Sequence, residues 1–334
     1  MNAPPLAHGP AGTGGNISSF SQMSRKYRSR SRPINVKDRT SKIILGKPAR
    51  TTKTYAPVGR CIYCGTTEWS AQQQRKMGDE HIIQEGIGGR LVLPEASCKT
   101  CEEATSAVEL EWLRGAYQTA RVQKGLGKKK KRPPRFLPLQ VVKGNKTTWE
   151  SVPLEKYPAM IVTLCFDKPE ILSDCAPVAK VLSGGVAIGI LPTFGQLLKP
   201  FLDQGAVTFV PPRASATSTH LGRMLAKIAH SYAVAELGID KFSPFLQNII
   251  LGTDICHIPH YVGGTMDVPT VIDEVYEIEL TTMASLGGRS YLVCIIRLLS
   301  DVKGMPEYWV VVGERRGDEQ FQDGEHASAQ IQAN

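Results

Sequence analysis

The sequence predicts an α+β protein in which a small cysteine-rich domain is followed by a separate mixed α+β domain and preceded by a disordered, basic arm. Three observations support this fold class. Four cysteines lie in two close pairs, runs of β-branched residues dominate after residue 136, and positive charge is concentrated in two short segments. The 334 residues, 42% of them hydrophobic, can fill one large core or two ordinary ones.

Residues 1–57 are predicted to form the disordered, basic arm. The first 23 residues are rich in Gly, Pro, Ser and Asn, so they cannot bury enough apolar surface to offset the entropy of ordering. Residues 24–60 contain 12 Lys or Arg and one acidic residue. Because the formal charge of the whole chain is only +9, this concentration indicates a localised surface for a polyanionic partner.

Residues 58–124 are predicted to form a small domain held together by a metal ion. Cys61 and Cys64 form one Cys-x2-Cys pair, and Cys98 and Cys101 form a second pair, with 33 residues between the two pairs. Each pair can present two thiolates from one tight turn, and two pairs complete the tetrahedral shell that a structural Zn²⁺ prefers. The alternatives are four unligated buried thiols or two disulfides, and a reducing compartment disfavours the disulfides.

A basic linker is predicted at residues 125–135, where four Lys and an Arg follow one another. The α+β domain follows at residues 136–313, and the polar residues 314–334 are predicted to form a disordered tail. One helix is expected from a cap at Thr219, or a neighbouring Ser or Thr, to Gly238. A shorter helix is expected at about residues 244–251. Alternating or β-branched runs predict strands at residues 160–166, 186–191, 207–210, 275–282, 291–298 and 308–312.

The apolar segments also indicate where the protein resides. No apolar run approaches the roughly 18 to 20 residues that a membrane-spanning helix needs. The first 23 residues also lack the apolar run of a secretory signal. We therefore expect a cytoplasmic protein with no membrane partner.

A motif between the cysteine pairs suggests a chemistry. Glu80 and His81 are followed by two isoleucines, then by Gly88 and Gly89, and finally by the second Cys-x2-Cys pair at the start of a predicted helix. This combination resembles the His-Asn-His (HNH) endonucleases, of the subgroup whose ββα-metal fold is stapled by four cysteines. The resemblance covers residues 58–120, about a fifth of the chain.

The resemblance implies roles for three residues. His81 matches the general base that activates a water molecule for attack on a phosphodiester, and Glu80 matches a ligand of a catalytic Mg²⁺ or Mn²⁺. Glu102 occupies the position of a second ligand, which is Asn or His in the four-cysteine members. The family's central Asn is also missing, because residues 91–97 contain no Asn. Zinc is then structural, and the second cation catalytic.

The resemblance and the charge pattern together predict DNA as the partner, with RNA open as an alternative. A nuclease flanked by basic segments would bind phosphates with weak sequence specificity. A different class, a catalytically weak or inactive zinc-ribbon module that binds nucleic acid, fits the two departures from the family motif. The second domain could instead form a homodimer or bind a regulatory ligand that gates the nuclease. The candidate nucleic-acid-binding residues are Lys128, Lys129, Lys130, Lys131, Arg132 and Arg135.

Overall fold

The computed structural model describes residues 39–46, 52–71, 76–126, 134–205, 208–210, 217–265, 267 and 270–316. The fold is mixed α+β, as the sequence predicts, with six α-helices and four sheets in the part described. No helix in this part is long and apolar enough to cross a lipid bilayer.

The N-terminal elements include a strand hairpin followed by a helix. Strand β4 pairs with β3 antiparallel and with β2 parallel, and helix α1 begins directly after β4. The elements are β1 (Arg39–Gly46), β2 (Lys53–Thr54), β3 (Gly78–His81), β4 (Leu91–Ser97), α1 (Lys99–Arg114) and α2 (Gln118–Gln123).

The remaining elements build a six-stranded antiparallel sheet and two smaller sheets. The large sheet has the order β1-β12-β13-β14-β10, and β11 also pairs with β14, while β6-β5-β9 and β7-β8 form the others. The elements are β5 (Phe136–Lys143), β6 (Lys146–Pro153), β7 (Met160–Cys165), β8 (Gly185–Ile190), α3 (Phe194–Asp203), β9 (Thr208–Val210), α4 (Ser218–Leu237), β10 (Phe242–Pro244), α5 (Gln247–Leu251), α6 (Ile258–Tyr261), β11 (Val262–Thr265), β12 (Glu274–Ala284), β13 (Ser290–Leu298) and β14 (Glu307–Arg315).

Helix α4 lies at the centre of the fold. Thr217 caps its first turn by accepting a hydrogen bond from the backbone N–H of His220, and the helix ends before Gly238. The helix packs against α1, from the N-terminal part of the chain, and against β13 and β14, from the C-terminal part. Because neighbours surround it, nearly every residue from Leu221 to Val234 is buried, including polar ones.

One hydrophobic cluster joins the two parts that the sequence predicts as separate domains. Ile62, Ile82 and Trp112 belong to the same cluster as Ile228 and Ile296. All of the described residues accordingly belong to one compact unit. Helix α4 thus contributes apolar surface to both parts. The division into domains and its residue boundaries remain predictions.

The predicted disordered arm also contains a strand. β1 pairs antiparallel with β12 from Arg39 to Gly46, within the stretch expected to be an unstructured basic arm. Ile43, Ile44 and Leu45 are strongly β-prone, and β12 offers a free edge to pair with. The rest of the predicted arm up to residue 38 lies outside the described residues, as do residues 127–133 of the predicted linker and residues 317–334 of the predicted tail.

Candidate functional site

The four cysteines come together as the sequence predicts. The sulfur atoms of Cys61, Cys64, Cys98 and Cys101 all lie within 4.8 Å of one another, and the Sγ atoms of Cys64 and Cys98 are 3.7 Å apart. A tetrahedral zinc site with Zn–S bonds of about 2.3 Å places its sulfurs roughly 3.8 Å apart. The cluster could therefore hold a structural metal ion such as zinc.

The first cysteine pair lies on a tight turn. The N–H of Gly65 donates to the carbonyl of Cys61 over 2.9 Å, and Gly65 adopts a φ of +78°, which glycine tolerates without strain. Hydrogen bonds from the Cys101 thiol and from backbone N–H groups of the turn outweigh burial and lower the pKa of Cys61 to about 4. These contacts favour the thiolate form of Cys61, the form that a metal ion binds, whereas burial raises the pKa of Cys64.

The second cysteine pair opens helix α1. Cys98 is the N-cap residue in an extended conformation, and Cys101 lies in the first turn. Backbone N–H groups at a helix N-terminus are unpaired within the helix and carry partial positive charge, so they favour thiolates. Strand β4 leads directly into this turn, and the end of the strand and the start of the helix therefore position the cysteine cluster.

His81 is the last residue of β3. Its side chain is 42% exposed, and its Nε2 lies 3.9 Å from Oε1 of Glu85. Its Nδ1 is buried and has no hydrogen-bond partner among the described residues. The backbone carbonyl of His81 accepts a hydrogen bond from the Lys227 ammonium group of α4. The imidazole therefore lies at the surface while the backbone behind it is anchored.

Glu80 lies in a buried charge cluster that the sequence motif does not predict. Its Oε1 pairs with Nζ of Lys227, and the same Nζ lies 2.7 Å from Oε1 of Glu109 on α1. Burial raises the pKa of Glu80, and the Lys227 charge opposes this rise. Burial alone lowers the pKa of Lys227, but attraction to Glu109 and Glu80 outweighs it and raises that pKa.

The sequence does contain a signal for this cluster. Between Met224 and Ala235 the only polar residues are Lys227, His230 and Ser231. A helix without a polar face is buried on all sides, so its few polar side chains need partners inside the protein. His230 confirms this reasoning, because its Nε2 lies 2.9 Å from the Ile62 carbonyl.

Glu102 approaches the strand that carries Glu80. A Cβ atom built at Gly78 would lie 3.0 Å from Oε2 of Glu102 and 2.7 Å from the Trp69 ring, so glycine leaves the space that the carboxylate enters. Gly78 and Glu80 alternate with the exposed Asp79 and therefore share a face of β3. Both carboxylates thus lie on the α1 side of the hairpin.

The candidate catalytic residues do not form a compact ligand set like that of the cysteines. Within the described ranges, the four cysteines are the one group of three or more closely spaced His, Cys, Asp or Glu ligand atoms. Among the predicted nucleic-acid-binding residues, Arg135 is exposed. Lys128, Lys129, Lys130, Lys131 and Arg132 lie outside the described residues.

The fold and the site together define an α+β protein with a four-cysteine cluster suited to a metal ion. No protein-family model, no curated protein and no solved structure matches this chain.

Proposed function

We propose that the protein is a zinc-stapled, metal-dependent HNH-type endonuclease that hydrolyses phosphodiester bonds of DNA with weak sequence specificity. The observation that carries the proposal is the position of His81, a half-exposed imidazole at the end of a hairpin strand whose partner strand leads into the four-cysteine cluster. A fixed backbone and an exposed ring suit a group that must meet a large substrate at the surface.

In this proposal His81 is the general base. An imidazole group can accept a proton from water near neutral pH, which a free carboxylate does less well. The Nε2 edge faces Glu85 at 3.9 Å, and a carboxylate at that distance can stabilise the imidazolium ion that forms when the proton is taken. His81 thus accepts the proton of the attacking water and then releases it to solvent.

Glu80 and Glu102 are the proposed ligands of the catalytic cation. Their carboxylates lie on the same side of the hairpin, and oxygen ligands suit Mg²⁺ or Mn²⁺. A bound divalent cation would neutralise charge that develops on the phosphoryl group and the leaving oxygen. Glu80 can contribute its Oε2, since its Oε1 pairs with Lys227.

DNA binding is proposed to rest on the two basic segments that precede and follow the hairpin in the sequence. Residues 24–60 contain 12 Lys or Arg and one acidic residue, and residues 121–135 contain 8 Lys or Arg and no acidic residue. Such segments neutralise phosphates without reading bases, so the proposed affinity falls as the salt concentration rises. Lys53 and Arg135 are the exposed members of this set in the described part of the chain.

A second candidate function is a zinc-ribbon module that binds nucleic acid with weak or no catalysis. Two observations favour it: the Lys227 ammonium already pairs with Glu80, and a glutamate occupies the second ligand position. In this alternative the charge cluster replaces a cation site, and the basic segments retain the affinity for phosphates.

Cleavage of supercoiled plasmid DNA by the full chain tests the proposal. The reaction is run with Mg²⁺ or Mn²⁺ and with EDTA, after elemental analysis for zinc. We expect nicking or linearisation by the wild type and by the control His257→Ala, and a loss of about 100-fold or more with His81→Ala. If the wild type and His81→Ala are equally inert yet shift DNA in a salt-sensitive way, the binding module replaces the nuclease.

A further inference from the structure

Lys227, on helix α4, contacts residues of β3 and α1, which lie much earlier in the sequence. Its Nζ pairs with Glu80, lies 2.7 Å from Oε1 of Glu109, and donates a hydrogen bond to the carbonyl of His81. Its side chain is 3% exposed. The ammonium group thus lies between two carboxylates and one backbone carbonyl, which together hold it in place.

The contact with His81 distinguishes this cluster from an ordinary buried ion pair. One ammonium group holds the carboxylate of Glu80 and the backbone of the next residue, which carries the proposed general base. Adjacent strand residues direct their side chains to opposite faces. Because the Lys227 ammonium group holds both the Glu80 side chain and the His81 carbonyl, it restricts the rotation of the strand at the end of β3. This restriction sets the direction in which the His81 ring points.

The next turn of α4 contacts the first cysteine turn. His230, three residues after Lys227 and so on the same side of the helix, contacts the Ile62 carbonyl between Cys61 and Cys64. Gln247 also donates to this carbonyl, over 3.3 Å. The same helix thus holds the end of β3 and the cysteine turn in a fixed relation.

We propose that Lys227 is a positioning residue of the nuclease centre, which orients Glu80 and His81 through its ammonium group. This inference rests on the proposed nuclease function. Lys227 does not meet the substrate, because Glu80, Glu109 and the His81 backbone surround it. Glu109 balances charge in the cluster and has no contact with the hairpin strand among its ion pairs.

Three variants of the full chain separate positioning from folding. Lys227→Met removes the ammonium group with little change in shape, while Glu109→Gln removes the other carboxylate and leaves the contacts of Lys227 with Glu80 and His81 in place. The third variant combines Lys227→Met with Glu109→Gln. It leaves one uncompensated carboxylate where Lys227→Met leaves two, so we expect this double variant to be more stable, and it replaces Lys227→Met if that variant unfolds. Circular dichroism and zinc content establish that each variant is folded.

The first readout is the binding of Mn²⁺ in the absence of DNA, which is monitored through the electron spin resonance signal of the free ion. The second readout is plasmid cleavage at saturating Mn²⁺. We expect Lys227→Met and the double variant to lose about 10- to 100-fold in Mn²⁺ affinity or cleavage rate. Glu109→Gln should stay within about twofold of the wild type in both, since the group that orients Glu80 remains.

Two results would overturn the positioning role. The first is a folded, zinc-loaded Lys227→Met or double variant that binds Mn²⁺ and cleaves like the wild type. The second is a loss in Glu109→Gln as large as in Lys227→Met, because the cluster would then act through stability alone. If the wild type itself does not cleave, or His81→Ala cleaves equally well, the nuclease proposal fails and the positioning role fails with it.

Discussion

The Lys227 ammonium group is the only cation that contacts the buried Glu80 carboxylate in the described structure. Its replacement by Met leaves Glu80 and Glu109 as two buried carboxylates without a compensating charge. Removing one partner of a buried ion pair typically costs about 3–5 kcal/mol, so Lys227→Met should lower the free energy of unfolding by that amount. Urea denaturation measures it.

Lys76 provides the control for this prediction. It pairs with Glu95 over 2.6 Å near the start of β3, but its side chain is 84% exposed. Water and salt screen such a pair, so Lys76→Met should leave the free energy of unfolding nearly unchanged. Equal losses in the two variants would contradict the assignment of Lys227 to a buried cluster.

His230 makes stability depend on pH. Burial is the main cause that lowers its pKa from 6.5 to about 4. Between these values the unfolded chain binds a proton that the folded chain does not. The contribution of His230 is therefore fully present above about pH 6.5 and is lost as the pH falls toward 4, by up to about 3 kcal/mol.

Comparing the wild type with His230→Gln isolates this contribution, because Gln can still donate to the Ile62 carbonyl. Urea unfolding at pH 7 and pH 5 with excess zinc should show a smaller loss of stability in the variant than in the wild type. Parallel losses in the two proteins would show that His230 is not responsible.

At the site, the sequence predicts what lies close along the chain. The spacing of Cys61 and Cys64, and of Cys98 and Cys101, indicates the cluster because each pair lies within one turn. The partner of Glu80 lies 147 positions away in the sequence. The pattern of α4 indicates that Lys227 needs a buried partner, but which residue pairs with it depends on tertiary structure and leaves no local pattern.

The two cysteine turns are the elements most dependent on metal. Each turn supplies half of a four-sulfur shell, so we expect one zinc ion per chain. Cys98→Ser should reduce the zinc content well below one and lower the melting temperature, since a structural zinc site contributes directly to folding. Cys175→Ser, at an exposed cysteine outside the cluster, is the control and should retain full zinc content. Full zinc content in Cys98→Ser would contradict the four-cysteine site.

Elements with a strong local pattern were predicted well. Strands β12 and β13 and helix α4, which ends before Gly238, match the expectation, because alternation and helical spacing are visible within one segment. The β5–β6 hairpin was missed, since β6 is largely exposed and polar. β1 was missed because a charged segment forms a strand here only by pairing with β12, far along the chain.

At the scale of the whole molecule, the shared core argues against an independent nuclease domain. A fragment of residues 52–126 would lack α4, leaving Glu80 without Lys227 and the Ile62 carbonyl without His230. It would also expose Ile82 and Trp112, which are buried in the full chain. We therefore expect no cooperative unfolding transition and no cleavage by this fragment.

Circular dichroism melting curves and an amide NMR spectrum of the zinc-loaded fragment test whether it is folded, and the plasmid assay tests whether it cleaves. The full chain should show one transition, whose midpoint falls when zinc is removed by a chelator. A fragment with dispersed amide signals, a cooperative transition and cleavage above that of the full chain would instead support a second domain that restrains an autonomous nuclease.

The pairing of β1 with β12 bears on how the protein behaves at high concentration. β12 is an 11-residue strand, and without β1 its outer edge would present a row of free N–H and C=O groups. Such an edge is a template for strand addition by another molecule, which is how many β-proteins aggregate. We therefore expect β1 to limit self-association by covering this edge, a role independent of any affinity for phosphate.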